Sequence, residues 1–313
     1  MAAYISFQPT DFFSPTLYTG TGSELAVTGV GFQPDMTWIK SRSSVLNHYL
    51  YDTVRGATKN LAPNDTDAEG TTAEGLKSWQ SDGFTLGTSG GENGSSVTYV
   101  SWNWKMGTTS GLSGGTITPS SYSISTTAGQ SVIAYTGTAS TATIPHGLGV
   151  KPDLIITKQY NTGRNWSSYR SSLGATKYMT PNSTAASATG TTYWNDTEPD
   201  ATVFTVGSAD ETNGSGTMIA YCFADIKGYS KFGSYKGNGN ADGQFVYTGF
   251  RPAYVIAKNT AGTYNWIVVD DKRSTSGKNV VDYYLNPNLA DAEGSSGTSR
   301  DLDLLSNGFK FRG

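Results

Sequence analysis

A ten-residue phrase that occurs three times constrains the fold of this chain more than any other feature of its sequence. The phrase reads GFQPDMTWIK at 31–40, GVKPDLIITK at 149–158 and GFRPAYVIAK at 249–258. Its proline stands at Pro34, Pro152 and Pro252. Repetition at such intervals indicates three related structural units within one polypeptide.

The agreement between the three copies extends far beyond the phrase. An aromatic-x-Gly triplet precedes each phrase, and an Asn, a Pro-Asn pair, a glycine and a phenylalanine follow it at closely matched offsets. The triplets end at Gly20, Gly137 and Gly237, and the later positions are Asn47, Asn165 and Asn265, then Asn64, Asn182 and Asn288, then Gly70, Gly190 and Gly294, then Phe84, Phe204 and Phe309. Offsets matched at so many positions indicate that the chain is a triplication.

Copies one and two end on a motif that the third copy lacks. An Asn-Gly-Ser segment at 93–95 and at 213–215 leads into the apolar runs VTYVSWNWK and TMIAYCFAD, whereas the third copy stops at SNGFKFRG. The N-terminal AAYISF faintly resembles IAYCF of the second copy. Two interpretations stay open. Either the chain has been truncated, or its opening strand completes a third copy, in the same chain or a neighbouring subunit, by addition to an open sheet edge.

Composition and turn chemistry predict an all-β fold. With 38 Gly, 19 Tyr and 15% charged residues, the chain suits short strands joined by tight turns. About seven short strands per copy predict three tandem β-sandwich repeats with jelly-roll-like topology. The expected domains are 18–117, 118–234 and 235–313, the last without its final strand, after an N-terminal strand or docking segment at 1–17.

The repeated phrase predicts a turn followed by a buried strand. Gly-x-x-Pro marks the turn, and the runs LIIT and YVIA are apolar throughout, as in a strand covered on both faces. The terminal Lys40, Lys158 and Lys258 are expected where this strand emerges into water. Alternation in VTYVSWNWK predicts a last strand with one buried and one wetter face. The Asn-Gly before it predicts a hairpin turn.

Charge and cysteine content exclude several classes of protein. A net charge of −3 and the absence of a Lys/Arg run argue against a nucleic-acid-binding surface. Cys222 is the single cysteine, so no disulfide can form within the chain. The N-terminus lacks a signal peptide, and no run of about twenty apolar residues occurs. These features predict synthesis in a reducing compartment, without export by the usual route and without membrane insertion.

The sequence offers weak candidates for a metal site and for nucleophilic catalysis. Asp65, Asp67 and Glu69 alternate in NDTDAEG as ligands of a calcium loop do, but the second copy reads NSTAASATG there and has no acid. The two histidines, His48 and His146, occupy unrelated repeat positions. That argues against a histidine zinc cluster and a Ser-His-Asp triad, so we expect no metal and no cofactor.

Glycoside hydrolysis needs two carboxylates on opposite sides of a cleft, and no spacing in this chain singles out such a pair. The candidate acids are Asp52, Glu198, Asp200, Asp270 and Asp271. The repeat position shared by Asp52 and Asp270 is occupied in copy two by Arg170, which argues against a common acid. We therefore predict no catalytic residue and a protein that is not an enzyme.

Exposed aromatic rings are the usual platform for binding sugars, and four tryptophans near loops are candidates. They are Trp79, Trp166, Trp194 and Trp266. Trp166 and Trp266 recur at one repeat position, which suits core packing as well as ligand binding. We expect packing to be the commoner role, and the ligand-binding residues stay unknown.

Several motifs together resemble those of a known family. Tyr-Thr-Gly, GFRPAYVIAK, Asn-Trp, Pro-Asn, SNGF and NGSG followed by YCFAD are similar to an uncharacterised repeat domain of virion proteins from marine and cyanobacterial tailed phages. That domain is classed with concanavalin-A-like lectin/glucanase sandwiches. The resemblance runs from about Tyr18 to the end. Full copies in that family continue past NGF into an NGSG turn and an aromatic strand, so the end at Gly313 is a departure that favours truncation.

The resemblance implies a structural or adhesive virion component, not a known catalytic mechanism. We expect a tail or tail-fibre protein that contributes to adhesion to the host surface through tandem domains, because repeated weak sites add avidity. Expected partners are other virion proteins, a homo-oligomer (a trimer for a fibre) and a host cell-surface glycan. The alternatives are a capsid decoration protein, or a carbohydrate-binding module or polysaccharide-degrading enzyme.

Overall fold

Antiparallel β-strands make up the regular structure, which confirms the all-β fold predicted from the sequence. The computed structural model describes residues 5–274, 280–295 and 301–312. Within these ranges the helical elements are one 3-10 turn and three α-helices of four residues each. No helix in the described ranges is long and apolar enough to span a membrane.

Copy one (residues 5–117) forms a four-stranded and a three-stranded sheet. Its elements are the 3-10 helix Pro9–Asp11, β1 (Phe13–Thr19), β2 (Leu25–Val27), β3 (Met36–Ser41), β4 (Tyr49–Asp52), β5 (Lys59–Asn60), β6 (Gly70–Thr71), β7 (Leu76–Gln80), β8 (Gly83–Leu86), α1 (Gly90–Asn93) and β9 (Thr98–Trp104). The sheets have the orders β1-β9-β3-β4 and β2-β8-β7, and β5 pairs with β6. Because β1 pairs with β9 along its full length, residues 13–17 belong to this sheet and not to a separate N-terminal segment.

Copy two (residues 118–234) repeats this arrangement with an additional edge strand. Its elements are β10 (Ser121–Ser125), β11 (Gln130–Thr136), β12 (Ala142–Pro145), β13 (Leu154–Gln159), β14 (Ser167–Arg170), β15 (Lys177–Tyr178), β16 (Ala188–Thr189), α2 (Thr191–Trp194), β17 (Val203–Val206), α3 (Asp210–Asn213) and β18 (Thr217–Phe223). The main sheet has the order β10-β11-β18-β13-β14, while β12 pairs with β17 and β15 with β16. Strands β11, β13, β14 and β18 thus correspond to β1, β3, β4 and β9.

Copy three (residues 235–312) keeps the second sheet but has a reduced main sheet. Its elements are β19 (Asp242–Tyr247), β20 (Tyr254–Ala257), β21 (Ile267–Asp270), β22 (Val280–Val281), β23 (Tyr283–Tyr284), β24 (Gly294–Ser295), β25 (Asp301–Leu305) and β26 (Gly308–Arg312). The four-stranded sheet has the order β19-β26-β25-β22, and β20-β21 and β23-β24 are two-stranded. The pair β20-β21 corresponds to β3-β4 and to β13-β14.

Each copy has its own hydrophobic core, and a further core lies where the three copies meet. In copy one, Tyr99 of β9 packs into the same core as Phe84 of β8, in the other sheet. The central core takes Trp102, Tyr221 and Val268, one from each copy. Strands β9 and β18 send alternate side chains into the two kinds of core, so both of their faces are buried. The prediction of a wetter face is wrong, because the face of Tyr99, opposite to that of Val100 and Trp102, packs against the second sheet of its own copy.

The strand of the repeated phrase is buried in two copies and half-buried in the third. Five of the six residues of β3 and of β13 are buried. All four residues of β20 are half-buried. The prediction of burial on both faces therefore holds for LIIT and fails for YVIA, because β20 pairs with β21 alone in the described ranges.

The Asn-Gly-Ser segments do not form the predicted hairpin turns. Strands β8 and β9 lie in different sheets, and the short helix α1 ends at Asn93 between them. The buried Asn93 side chain instead donates through Nδ2 to Ser23 O (2.6 Å) and Gly87 O (2.7 Å) and accepts at Oδ1 from Thr21 N (2.8 Å). Asn213 makes the corresponding bonds in copy two. The motif therefore recurs because its amide joins three segments.

The first described residues pack against copy two. The ring centroid of Phe7 lies 5.0 Å from that of Phe12 and 5.5 Å from that of Tyr229. Residues 1–4, which include the first half of the AAYISF stretch at 2–7, lie outside the described residues. The choice between truncation and completion by this stretch therefore stays open.

Candidate functional site

The matched positions of the repeat build a ring of contacts between copies, which we call the inter-copy ring. The segment that follows each phrase donates a backbone hydrogen bond to the Pro-Asn loop of another copy, and that loop donates one back. The bonds are Arg164 N to Thr66 O (2.9 Å), Tyr264 N to Thr184 O (3.1 Å) and Leu46 N to Ala290 O (3.0 Å), with Glu69 N to Tyr160 O (2.7 Å), Ser187 N to Thr260 O (2.9 Å) and Glu293 N to Arg42 O (2.7 Å) in return. Copy two rests on copy one, copy three on copy two and copy one on copy three, so the contacts close.

The lysine that ends each phrase lies within this ring, so its predicted emergence into water is wrong for two copies. Lys40 and Lys158 are buried, and Lys258 is half-buried. Their ammonium groups donate to backbone carbonyls: Lys40 to Ser41 (3.0 Å) and Ala290 (3.1 Å), and Lys158 to Thr66 (2.7 Å) and Arg164. The reason lies in the tertiary structure. The loop of another copy covers the strand end and supplies one of the two acceptors of each lysine, Ala290 O for Lys40 and Thr66 O for Lys158.

Burial shifts the ionisation of both lysines towards neutral pH. Desolvation lowers the pKa of Lys40 to about 8, against an opposing effect of Asp291 in copy three. It lowers the pKa of Lys158 to about 8, against an opposing effect of Asp67 in copy one. A buried ammonium that faces only backbone carbonyls is suited to holding two loops together, and its environment disfavours the charged form.

We expect the protein to gain stability as the pH rises from about 8 towards 10, because of these lysines. In this window the unfolded chain keeps the two protons that the folded chain releases, so the free energy of unfolding rises by roughly 1.4 kcal/mol per pH unit for each group. Lys40→Met should flatten this rise relative to the wild type in urea denaturation at pH 7.5, 8.5 and 9.5. The exposed Lys77→Met is the control, and equal slopes for the two variants would contradict the expectation.

The tryptophans that the sequence offers as sugar platforms are largely enclosed. Trp166 and Trp266 are both 2% exposed. Their Nε1 atoms donate across copies, Trp166 to Ala62 O (3.0 Å) and Trp266 to Ser183 O (3.1 Å). Trp194 lies in the core of copy two, and Trp79 is half-buried. Of the four, Trp79 alone presents part of its ring at the surface.

The two acids that share a repeat position form buried ion pairs. Asp52 pairs with Arg55 at 2.7 Å, and Asp270 pairs with Arg273 at 2.6 Å. Each also accepts from an aromatic side chain of another copy, Tyr221 OH to Asp52 (2.8 Å) and Trp102 Nε1 to Asp270 (2.9 Å). These carboxylates are therefore fixed as acceptors at the central core and do not face one another across a cleft.

The other candidate acids are bound to their own copy. Glu198 accepts from Lys151 Nζ (2.7 Å), Tyr169 OH (2.5 Å) and Ala175 N (2.7 Å), Asp200 from Thr202 N (2.7 Å) and Val203 N (2.8 Å), and Asp271 from Arg251 (3.3 Å). The backbone bonds to Asp200 lower the pKa of its carboxyl. A lowered pKa keeps this acid ionised. An ionised carboxylate can hold a loop in place by accepting hydrogen bonds, but it cannot act as a general acid.

The acidic loop at 64–70 is part of the inter-copy ring. Asp65 Oδ1 accepts from Thr66 N at 2.6 Å, and Glu69 lies 3.3 Å from Arg55 and 3.7 Å from Lys59. In the described part of the chain no group of three or more His, Cys, Asp or Glu side chains is placed to hold a metal. The structure thus uses the loop's Glu69 in ion pairs.

A family model covers nearly the whole chain. The model, described as "Domain of unknown function (DUF7483)", matches residues 8–313. The chain belongs to this family. No curated protein and no solved structure matches it. The matched residues include all three copies.

Both histidines of this family member are structural. His48 accepts at Nδ1 from Trp38 Nε1 (2.8 Å) and donates from Nε2 to Asn286 O (3.1 Å), so it joins copy one to copy three. Burial and the nearby Lys40 hold its pKa well below the ordinary range. Burial also lowers the pKa of His146. Neutral rings are thus built into the folded state.

Acidification is therefore expected to destabilise the fold through these rings. The unfolded chain binds protons near the ordinary histidine pKa of about 6.5 while the folded chain does not, so stability is lost as the pH falls below that value. His48→Gln retains an acceptor and a donor but cannot be protonated. Its free energy of unfolding should fall less between pH 7 and 5 than that of the wild type, by roughly 1 kcal/mol or more. A parallel decline for both proteins would rule out His48 as the source.

The sequence analysis did not identify the buried carboxylate of Glu92 as a candidate residue. Glu92 in α1 accepts from Ser89 Oγ (2.5 Å) and from the Tyr51 hydroxyl, and burial raises the pKa of its carboxyl. The backbone carbonyl of Glu92 accepts from Tyr18 OH at 2.7 Å. Copy two has Thr212 at the corresponding place, so the repeat gives no signal for an acid. The carboxylate organises the tyrosine-rich core of copy one.

Proposed function

We propose that the chain is a structural protein of a tailed-phage virion, namely a tail or tail-fibre component that contributes to adhesion to the host surface. The observation that carries the proposal is the inter-copy ring. It commits Lys40 and Lys158, His48, and the paired acids Asp52 and Asp270 to bonds between copies, so these groups serve to hold the three copies together. The motif resemblance to phage virion repeats supports the same role.

In this role the ring is a rigid carrier and the exposed loops make the contacts. Three related copies present three related sets of loops, so weak contacts to a repetitive host glycan add in avidity. Contacts to neighbouring virion proteins fix the chain in the particle, and a fibre assembles it as a homo-oligomer, with a trimer the expected state. The protein is made in the host cytoplasm and works in the virion.

Closure of the ring favours one alternative, a capsid decoration protein. A single chain with three related copies around one core can occupy a position of threefold symmetry without forming a trimer. A carbohydrate-binding module has less support, because three of the four candidate tryptophans are enclosed. Fold resemblance to lectins and glucanases does not by itself supply a binding or catalytic site.

Cryo-electron microscopy of the intact particle tests the proposal directly. Density for this chain on the tail or its fibres is the expected result. Density on the capsid lattice would replace the tail assignment by the decoration role. Absence of the chain from purified particles would overturn both. A glycan array with the purified protein tests adhesion separately, and binding that Trp79→Ala does not reduce would remove that residue from the contact.

A further inference from the structure

Strand β20 has an edge without a neighbour. In the first two copies the corresponding strand lies between two others, β3 between β9 and β4 and β13 between β18 and β14. Among the described residues β20 pairs with β21 alone. The N–H and C=O groups of the other edge have no partner strand, and such an edge is a template for pairing with an additional strand.

An apolar groove of about 1590 Å³ lies beside this edge. Tyr254 and Ile256 of β20 line it together with Tyr235 and Phe309. Several of the large apolar side chains exposed on this protein belong to copy three, among them Tyr235 at 44% and Tyr247 at 65%. An extended apolar surface of this kind marks an interaction site and not an ordinary protein surface.

One side of the groove carries the third aromatic-x-Gly triplet. In the other two copies this triplet packs against an Asn-Gly-Ser segment. Tyr135 OH donates to Thr212 O at 2.5 Å, and a Cβ at Gly137 would lie 1.8 Å from Gly214 O, so this triplet fits closely against the Asn-Gly-Ser segment. The corresponding Tyr235 stacks on Phe311 instead. A Cβ on Gly237 would have nothing within 4 Å among the described residues.

The far side of the groove holds Arg170, a cation whose Nε has no hydrogen-bond partner among the described residues. Trp102 of copy one bonds Asp270 of copy three, and Tyr221 of copy two bonds Asp52 of copy one. The third pair of this cycle would join a strand beside β20 to Arg170 of copy two. Arg170 Cζ lies 4.9 Å from the centroid of the Trp266 ring, and its buried Nε has no hydrogen-bond partner in the described ranges. Arg170 as a whole is half-buried. A carboxylate from an inserted strand would give its guanidinium an anionic acceptor, and a charge-assisted hydrogen bond of this kind is stronger than a neutral one.

We propose that this groove is an acceptor site for one extended β-strand, which pairs antiparallel with β20 and carries a carboxylate opposite Ile256, within reach of Arg170. The register follows from the filled copies, where Trp102 lies opposite Trp38 and Tyr221 opposite Ile156. Both faces of the strand are buried, as those of β9 and β18 are, and main-chain hydrogen bonds supply much of its affinity. The inference is independent of the virion role.

Appending a strand to the chain tests the site. Residues 209–224 of copy two, placed after Gly313 with Tyr221→Glu in the appended copy, keep the spacing between Phe204 and the Asn-Gly-Ser segment. The expected result is hydrogen exchange at least about 100-fold slower at the β20 amides that do not bond β21. Unchanged exchange in this protein, and also with the same segment added as a synthetic peptide, would overturn the proposal.

Matched variants distinguish the contribution of strand pairing to binding from that of the carboxylate. Lysine in place of the glutamate should weaken peptide binding, measured by calorimetry, by roughly tenfold or more, because it faces Arg170. Arg170→Met should abolish that difference, and equal affinities for both peptides on the wild type would overturn the carboxylate assignment. Sedimentation tests the other occupant. Dimers with protected β20 amides in the absence of peptide would mean that a second copy fills the groove, contrary to the proposal.

Discussion

Replacing Asp270 by alanine is expected to lower the free energy of unfolding by about 3 kcal/mol, the lower end of the range for breaking a buried ion pair, because the buried Arg273 then keeps only Glu293 as an anionic partner, at 3.0 Å. The side chains of Asp270 and Arg273 are both fully buried, and their N–O distance is 2.6 Å. Asp270 also accepts from Trp102 Nε1 at 2.9 Å, so the change removes a link between copies one and three. Guanidinium denaturation measures the loss.

The neighbouring residue supplies a matched control. Asp271 pairs with Arg251 at 3.3 Å, with side chains 27% and 45% exposed respectively. Exposed pairs contribute about 0–1 kcal/mol, so Asp271→Ala should change stability little. Asp52→Ala should resemble Asp270→Ala, because Asp52 is equally buried beside Arg55 and accepts from Tyr221. Similar small losses for all three variants would show that the buried pairs contribute no more than the exposed one.

The fold class could be predicted because the residues that recur in the repeat are those that the backbone needs at particular positions. Proline, glycine and asparagine recur at places where the chain turns or two segments approach closely, and β-forming runs lie between them. Equal spacing in sequence establishes that residues such as Lys40 and Lys158 are equivalent, but it does not show which copy each one touches. The burial of these lysines arises from neighbouring copies, and the second face of β9 is covered by the other sheet of its own copy. They were therefore mispredicted.

Most of the candidate site could not be predicted from the sequence, for the same reason. Asp52 and Asp270 lie three residues before Arg55 and Arg273, their ion-pair partners, but the sequence does not show their bonds to Tyr221 and Trp102, which lie in other copies. One signal was present and had a different meaning. The change from acid to Arg170 in copy two argues against a shared catalytic acid, and in the structure it marks the single member of the cycle whose aromatic partner strand is not among the described residues.

The glycines of the three aromatic-x-Gly triplets are expected to respond very differently to the same change. None of Gly20, Gly137 and Gly237 has a positive φ, so alanine adds no backbone strain and its effect depends on space alone. A Cβ would lie 2.3 Å from Gly94 O at Gly20 and 1.8 Å from Gly214 O at Gly137. Backbone atoms cannot move aside cheaply, so both substitutions should cost about 3 kcal/mol, the upper part of the range for overpacking.

Gly237→Ala should leave the free energy of unfolding within about 0.5 kcal/mol of the wild type, because the added methyl enters open space. Thermal and urea denaturation of the three alanine variants make the comparison. The same Gly237→Ala should weaken binding of the 209–224 peptide, since the Asn-Gly-Ser segment would then meet a methyl where copies one and two have none. A large loss of stability in the peptide-free variant would show that this flank of copy three is already occupied by the chain itself, and would remove the open groove on which strand insertion depends.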